Sequence, residues 1–524
     1  MCLNPVTISN NTHRFAVGKS KLSFDVPCGK CHDCRSSKKN EWFLRCYKEF
    51  QDCQSKGGAT YFVTLTYADE FLPHFDIEYK KLVDGKVVYK HLDSPCFSYD
   101  DIHSFIKNLR TILKRRFGNI KLRYIVFPEY GDKYRRPHYH CLFYLSRKLA
   151  NKDFFRCLDG YDNDVERRKF HKWSLNQPYF ITPEHPDGFC KRGCWHKGWV
   201  LISKECKGGM LVKNQKSILY CSKYVTKDMS FFGQNDVVDF QNAIFDKTLY
   251  NDIERADIIS KVSHSLPKHY NSPSLGFDYI KAEFMSDYNK YIKDGFVIAT
   301  GQKSSVSYFI PDYYKRKILY RYDVQKDEYG NKKVVWYYSP DSKQIHLAYL
   351  RNSIRNYISK LDVIFSYDFV NSLQNDDLLH LGFDKVFLSS YLRDIRSKYT
   401  PYQIAVFSLV FHCRSSRFDC LDGCDEQHSL IHYISHYEDY YINFIDNNDD
   451  FDYREKYLDK HQYEYNYSYD CFDCFKGLSE FCALVSNINL CQRDYRVNFF
   501  NFINSYRDLF IPCESHKLPV FDVT

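Results

Sequence analysis

Residues 136–145 read Arg-Pro-His-Tyr-His-Cys-Leu-Phe-Tyr-Leu, and this stretch decides the fold. From Tyr139 onward it is apolar and aromatic enough for a buried strand, and side chains on a strand alternate between its two faces. His138 and His140 are therefore expected on one face and Tyr139 on the other. Buried imidazole nitrogens need partners, and neutral imidazole is a common metal ligand. The pattern predicts half of a metal site, and the alternative is a pair of satisfied histidines on an edge strand.

A carboxylate that precedes this strand could complete the metal site. A second strand is predicted at residues 122–127, and the loop at 131–137 favours an antiparallel pair between it and the histidine strand. That pairing would bring Glu129 close to His138 and His140. One carboxylate with two imidazoles favours Mg²⁺ or Mn²⁺, ions that keep open positions for substrate oxygens. The alternative for Glu129 is an ordinary solvated loop carboxylate.

Two tyrosines and two lysines alternate in residues 217–226 and just beyond, a segment predicted to be helical. On a helix, Tyr220 and Tyr224 lie one turn apart on one face, and Lys223 and Lys227 form a neighbouring row. A phenol has a pKa of about 10, so Lys227, or Lys223, would help one of them to act as a phenolate nucleophile. The alternative is a core aromatic stripe, which is common in a chain with 46 tyrosines.

Together these stretches resemble the HUH endonucleases, named for a His-hydrophobic-His strand paired with a tyrosine helix. Within them the chain is most similar to the replication initiators of small single-stranded DNA phages, the Microviridae, and to their gokushovirus branch. The matching stretches are the histidine strand, the Tyr-x-x-x-Tyr-x-x-Lys pattern, and residues 26–35, 62–67 and 129–131. The resemblance covers residues 1–320, including short blocks at 274–279 and 310–317 that carry no predicted chemistry. One departure is Tyr139, which places a hydroxyl between the two histidines.

The resemblance implies a metal-dependent endonuclease that nicks and rejoins DNA in rolling-circle replication. Tyrosine would attack single-stranded or extruded DNA at the viral origin, leaving a 5′-phosphotyrosine and a 3′-OH primer for a host polymerase. A second tyrosine would then allow the circle to be re-ligated. His138, His140 and Glu129 would hold the catalytic metal. The alternatives are a plasmid-type initiator or relaxase with the same chemistry, and a non-catalytic, zinc-stabilised nucleic-acid-binding protein.

Three cysteines at two-residue intervals predict a structural zinc loop. Cys28, Cys31 and Cys34 are close enough for three thiolates to surround one ion. A structural zinc needs a fourth ligand, for which the candidates are Cys2, His32 and Cys46, and the family resemblance favours Cys2. An iron–sulfur cluster is disfavoured because the run lacks the fourth Cys-Pro of the ferredoxin pattern. The alternative is a set of free thiols.

A helix that opens at Ser98 and Asp101 carries charge of one sign on its exposed face. Its predicted apolar stripe is Ile102, Phe105, Ile106, Leu109 and Leu113. The basic residues are Lys107, Arg110, Lys114, Arg115 and Arg116, and residues 106–124 contain no acidic residue. This face is predicted to contact DNA phosphates through counterion release, without reading bases. The alternative is a solvated helix face.

The composition of the whole chain narrows the setting. With 524 residues the chain can form two or three domains, and a net charge of +9 permits a nucleic-acid partner. The first residues lack the features of a signal peptide, and no apolar run is long enough to span a membrane, so we expect a reduced chain in the host bacterial cytoplasm. No Walker A loop occurs, which implies a separate host helicase as a partner.

The predicted fold class is α+β, with an HUH endonuclease core of antiparallel sheet flanked by helices and a mainly helical C-terminal region. The predicted divisions are a Cys-rich segment at 1–55, the endonuclease core at 56–235, a family-specific extension at 236–330, and a C-terminal region of unknown role at 331–524.

Overall fold

The fold was obtained as a computed structural model of the 524-residue chain. The structure describes residues 6–9, 23–29, 31–131, 136–160, 193–202, 210–226, 235–263, 267–299, 305–326, 332–339, 341–373 and 384–411, with 378, 481–482, 484–485 and 488. Two compact units are present: one comprises Met1–Cys34, Tyr288–Lys293 and Asp312–Thr524, and the other Arg35–Asp287 and Asp294–Pro311. This partition follows contacts, and the four predicted divisions stay a prediction.

The unit Arg35–Asp287 is built on a five-stranded antiparallel sheet. Its strands are β3 (Ala59–Tyr67), β6 (Leu122–Tyr130), β7 (Pro137–Leu145), β8 (Gly198–Ile202) and β9 (Tyr270–Asn271). Their order is β8-β3-β7-β6-β9, and every neighbouring pair is antiparallel. The histidine strand β7 is therefore central, paired with β3 on one side and β6 on the other, which confirms the predicted antiparallel pair and the α+β fold class.

One face of the sheet packs against helix α2 (Tyr99–Phe117) and helix α3 (Asn151–Leu158). The five apolar residues of the predicted α2 stripe are its buried residues, as expected for an amphipathic helix on a sheet. Ser98 caps the helix by accepting a hydrogen bond from the backbone N–H of Asp101 at 3.2 Å. From β7, this face contributes the odd-numbered residues, including Tyr139 and Cys141.

The opposite face of the sheet meets helix α1 (His32–Ser55). Tyr144 on β7 donates a hydrogen bond to the carbonyl of Cys46 at 3.1 Å. The buried carboxylate of Glu49 accepts hydrogen bonds from the Arg123 guanidinium on β6 and, at 2.6 Å, from the backbone N–H of Gly276. Burial raises the pKa of Glu49, and Arg123 opposes that shift. The block at 274–279, which carried no predicted chemistry, thus fastens α1 to the sheet.

The remaining strands pair locally, as hairpins. A hairpin of β4 (His74–Val83) and β5 (Lys86–Pro95) was not predicted, although its Asp84-Gly85 turn, with both φ values positive, is a strong hairpin signal. The other hairpins are β1 (Val6–Ser9) with β2 (Ser23–Val26), β10 (Phe296–Ala299) with β11 (Ser305–Tyr308), and β12 (Tyr320–Lys326) with β13 (Lys332–Tyr338).

The other helices are α4 (Gln215–Ser222), α5 (Asn235–Phe245), α6 (Asp252–Ser263), α7 (Phe277–Ser286), α8 (Tyr288–Asp294), α9 (Asp312–Leu319), α10 (Ser342–Ile364), α11 (Tyr367–Ser372), α12 (Lys385–Lys398) and α13 (Pro401–Val406). The last four confirm the predicted helical character of the C-terminal region. In the described part of the chain, none of the helices combines the length and hydrophobicity that crossing a membrane requires.

Candidate active site

His140 lies at the centre of the candidate site, on the face of β7 that α2 does not cover. It is 6% exposed, and both of its ring nitrogens have partners. Nε2 lies 2.6 Å from the Glu129 carboxylate, and Nδ1 lies 2.9 Å from the hydroxyl of Thr64 on β3. The two contacts fix the plane of the imidazole from opposite sides. Thr64 was not identified from the sequence, because nothing marks one threonine among the alternating residues of a strand.

His138 lies two residues earlier on the same face, opposite Thr66 of β3 and Glu129 of β6. Its Nδ1 atom is buried and has no hydrogen-bond partner, which is unusual for a buried polar nitrogen. Gly131 approaches the same ring so closely that a Cβ atom there would lie 2.8 Å from Nε2. A side chain at this position would collide with His138, so the glycine leaves the imidazole its space.

Glu129 is 7% exposed and bridges the two histidines in the register, since it faces His138 across the strands and contacts His140. The predicted position of this carboxylate beside the histidines is therefore present. The ligand atoms of the three residues do not all lie within 4.8 Å of one another; among described residues, that distance is met by Cys28, Cys31 and Cys34. The assignment of the three residues as ligands of a catalytic metal stays a prediction.

The tyrosines reach the site from α4 and the turn that follows it. The predicted helix at 217–226 is wrong in its second half, because α4 ends at Ser222 and Lys223–Thr226 form a 3₁₀ turn. Such tightening is common at helix ends, where carbonyls lose their i+4 partners. The two phenols still meet: the ring centroids of Tyr220 and Tyr224 are 5.2 Å apart.

Tyr224 stacks directly on His140, with ring centroids 3.8 Å apart and planes 8° from parallel. It is 4% exposed, whereas Tyr220 is only partly buried. Burial raises the pKa of Tyr224 far above that of a free phenol, and a hydrogen bond with Tyr220 and the Glu129 carboxylate add to the shift. The less buried phenol, Tyr220, also lies 6.4 Å from the His140 ring centroid.

Two lysines contribute positive charge near the tyrosines. Lys223 is exposed, and Lys39 on α1 is partly buried. Burial, followed by repulsion from Lys223, lowers the pKa of Lys39, so the two ammonium groups are close enough to interact. Lys39 was not predicted as a site residue, and its position depends on how α1 lies on the sheet. Lys227, the other predicted cation, lies outside the described residues.

Tyr139 explains how an aromatic hydroxyl is accommodated between the histidines. Its side chain is fully buried on the α2 face, where the hydroxyl accepts a hydrogen bond from the backbone N–H of Ser98 at 2.9 Å. It also contacts the hydroxyl of Tyr67 at 3.3 Å. The departure from an aliphatic residue is therefore satisfied by the cap of α2 and leaves the histidine face unchanged.

The predicted phosphate-binding residues lie elsewhere. Lys107, Arg110, Lys114, Arg115 and Arg116 are all exposed on α2, which packs on the sheet face opposite to the histidines. Arg116 also hydrogen-bonds the Cys157 side chain, and Arg110 lies over the Tyr124 ring at 5.6 Å. The structure does not bring these five residues to the tyrosines, and their contact with DNA stays a prediction.

Comparison with known proteins gives the site its context. Residues 60–229, which contain the histidine strand and both tyrosines, match the family model of Replication-associated protein ORF2. This segment belongs to the ORF2 family. The match confirms the predicted resemblance to phage replication proteins. No solved structure matches the chain.

Three phage proteins are similar to the chain that carries this ORF2-family segment. It is 33% identical over 159 residues to Replication-associated protein ORF2 of Spiroplasma virus 4, covering 27% of this chain and 44% of that protein. It is 32% identical over 152 residues to Replication-associated protein VP4 of Bdellovibrio phage phiMH2K, covering 27% and 41%. It is 22% identical over 315 residues to Replication-associated protein ORF4 of Chlamydia phage 1, covering 59% and 58%. The matches thus span less than half the length of the first two relatives.

Proposed function

We propose that the protein initiates rolling-circle replication by cutting single-stranded or extruded origin DNA through tyrosine attack. The observation that carries the proposal is the stack of Tyr224 on His140, with Tyr220 beside it and Glu129 on the imidazole. Two phenols and a carboxylate–imidazole pair thus share one sheet face within a segment that matches phage replication proteins. A core aromatic stripe alone would not require the carboxylate or the paired threonine.

The residues present fit a divalent cation. Two imidazoles and a carboxylate suit Mg²⁺ or Mn²⁺, and the buried, unpartnered Nδ1 of His138 is an atom that an ion nearby would satisfy. A bound ion would polarise the scissile phosphate and stabilise its developing charge. His138, His140 and Glu129 would hold it. Thr64 orients the His140 ring, a contact of the kind that tunes metal ligands from outside the coordination shell.

Tyrosine then acts as the nucleophile. Its phenol loses a proton to solvent, the oxygen forms a bond to phosphorus, and the bond to the 3′ oxygen breaks, so that a 5′-phosphotyrosine and a 3′-OH result. Lys223 and Lys39 favour the anionic oxygen electrostatically, with Lys227 as a further candidate. Tyr220 is the more accessible phenol, so we assign it the first cut and Tyr224 the second. The released 3′-OH attacks the first phosphotyrosine, which closes the circle without ATP.

The proposed setting is the host cell, where a host polymerase extends the 3′-OH and a host helicase separates the strands. Basic residues of α2 would hold DNA that flanks the cut, since they lie on the other side of the sheet. Their contribution would be salt-dependent and independent of sequence.

The experiment is incubation with labelled single-stranded DNA of the cognate phage origin and Mn²⁺, followed by denaturing electrophoresis. We expect a covalent protein–DNA band that EDTA or His138→Ala abolishes. Tyr220→Phe should weaken the band strongly, Tyr224→Phe should mainly reduce rejoining, and the double variant should form none. Tyr89→Phe is the matched control, since Tyr89 is 62% exposed on β5. DNA binding without any adduct would instead favour a non-catalytic nucleic-acid-binding protein.

A further inference from the structure

The loop before α1 gathers three cysteine side chains. The sulfur atoms of Cys28, Cys31 and Cys34 all lie within 4.8 Å of one another, and those of Cys28 and Cys34 are 4.0 Å apart. A disulfide would require a separation of about 2.05 Å. The arrangement is therefore open, with room for an atom between the sulfurs.

The spacing agrees with a tetrahedral thiolate site. With Zn–S bonds of about 2.3 Å and tetrahedral angles, two sulfur ligands lie about 3.8 Å apart. The Cys28–Cys34 separation of 4.0 Å is close to that value. An Mg²⁺ or Ca²⁺ ion prefers oxygen ligands, whereas thiolates select Zn²⁺ among abundant divalent ions without redox chemistry.

The backbone of the loop is arranged around the first sulfur. The N–H of Cys31 donates a hydrogen bond to the Cys28 sulfur at 3.3 Å. Gly29 between them has φ +73°, a left-handed conformation that glycine adopts without steric cost. This tight turn presents an amide to a sulfur atom, which favours its thiolate form over the thiol.

The fourth ligand can be narrowed from the described strands. Val6 on β1 pairs with Val26 on β2, and Cys28 follows Val26 by two residues. The chain that enters β1 at Val6 therefore starts at the end of the hairpin where the cysteine loop begins. Cys2 precedes Val6 by four residues, a distance that the chain can span.

The other candidates are less suitable. Cys46 is 1% exposed inside the unit that begins at Arg35, and burial raises the pKa of its thiol to about 12. It is absent from the cluster of close ligand atoms found in the described residues. Cys2 itself and the His32 side chain lie outside the described residues, so the choice between them belongs to experiment.

We propose that Cys28, Cys31, Cys34 and Cys2 bind one Zn²⁺ ion as a structural tetrathiolate site that links the β1–β2 hairpin to the first turn of α1. This site is separate from the candidate active site, and the proposal does not depend on DNA cleavage. Its energetic role follows from chain topology: the ion closes a loop between the start of the chain and α1, which limits the unfolded state.

The test is the metal content of the full-length protein purified without added chelator. We expect about one zinc per chain, and after replacement by Co²⁺ the near-ultraviolet thiolate charge-transfer and visible bands of a tetrahedral site. Cys31→Ser should reduce the zinc content to below half. Cys53→Ser is the matched control, because its sulfur donates to the Leu145 carbonyl, a bond that a serine hydroxyl can keep.

The fourth ligand is tested by a second pair of variants. Cys2→Ser should lower zinc retention like Cys31→Ser, whereas Cys2→His should retain the ion because histidine is also a zinc ligand. Loss of zinc in His32→Ala together with full retention in Cys2→Ser would overturn the assignment of Cys2. Wild-type protein without zinc and without a thiolate–cobalt spectrum would overturn the site as a whole, whether or not the protein cuts DNA.

Discussion

Gly276 joins the 274–279 block to α1 and should be highly sensitive to substitution. Its φ is +76°, and a Cβ atom there would lie 2.4 Å from the carbonyl oxygen of Arg45. The Gly276 N–H also donates to the buried carboxylate of Glu49. Gly276→Ala must therefore adopt an unfavourable backbone conformation and push against the helix at the same time.

The two costs can be estimated separately. A left-handed conformation costs a residue with a Cβ about 1–2 kcal/mol. Forcing an added methyl group into a close-packed contact costs about 1–3 kcal/mol, because backbone must shift. The expected loss in the free energy of unfolding for Gly276→Ala is thus about 2–5 kcal/mol.

Two other glycines isolate these terms. Gly57 has the same φ of +76° with nothing within 4 Å of its added Cβ, so Gly57→Ala should cost only about 1–2 kcal/mol. Gly58 has no positive φ, but its Cβ would lie 2.3 Å from the Leu145 carbonyl oxygen, so its substitution reports on overlap alone.

The assay is urea unfolding followed by tryptophan fluorescence, since four of the five tryptophans lie between Arg35 and Asp287. The three variants should rank with Gly276→Ala as the least stable. Equal midpoints for Gly276→Ala and Gly57→Ala would refute the close contact between Gly276 and α1.

Three further predictions concern the site and its support. Thr64→Val should weaken adduct formation by about ten- to a hundredfold and raise the Mn²⁺ requirement, because His140 loses its orienting partner; Thr66→Val, which loses only a bond to the Trp199 carbonyl, is the control, and equal effects would contradict the role of Thr64. Tyr139→Phe should destabilise the fold by about 1–3 kcal/mol in urea, because the Ser98 N–H loses its acceptor, and an unchanged midpoint would exclude that contribution. Burial lowers the pKa of His269 to about 4, below the ordinary value of 6.5, so its contribution to stability is present above pH 6.5 and lost as the pH falls toward 4; the wild-type urea midpoint should fall over that interval, and His269→Gln should have a flatter profile.

Much of the fold follows from local patterns. The α2 stripe and its cap were predictable because an amphipathic helix repeats its apolar residues every three or four positions. The alternation of His138, Tyr139 and His140 predicted the two faces of β7, and the loop length predicted its antiparallel partner. The β4–β5 hairpin was missed, although Asp84-Gly85 was available as a signal.

The parts that escaped prediction depend on contacts between distant segments. Glu49 and Gly276 are separated by 227 residues, so no local pattern could show that one caps the other. The partnership of Thr64 with His140, 76 residues apart, requires knowledge of the strand register. The 3₁₀ turn at Lys223–Thr226 reflects packing of Tyr224 on His140, which overrides the helical spacing of the tyrosines.

The central position of β7 constrains how this segment can change in evolution. Each residue of β7 either builds the α2 interface or faces the histidine side, in strict alternation, and both neighbours are fixed in register. One inserted or deleted residue would exchange the two sets and lose the core and the site together. Length changes are therefore expected to accumulate in the connections between strands and to be absent from β7. In distant relatives whose overall identity has decayed, this strand is the place at which an alignment should be anchored.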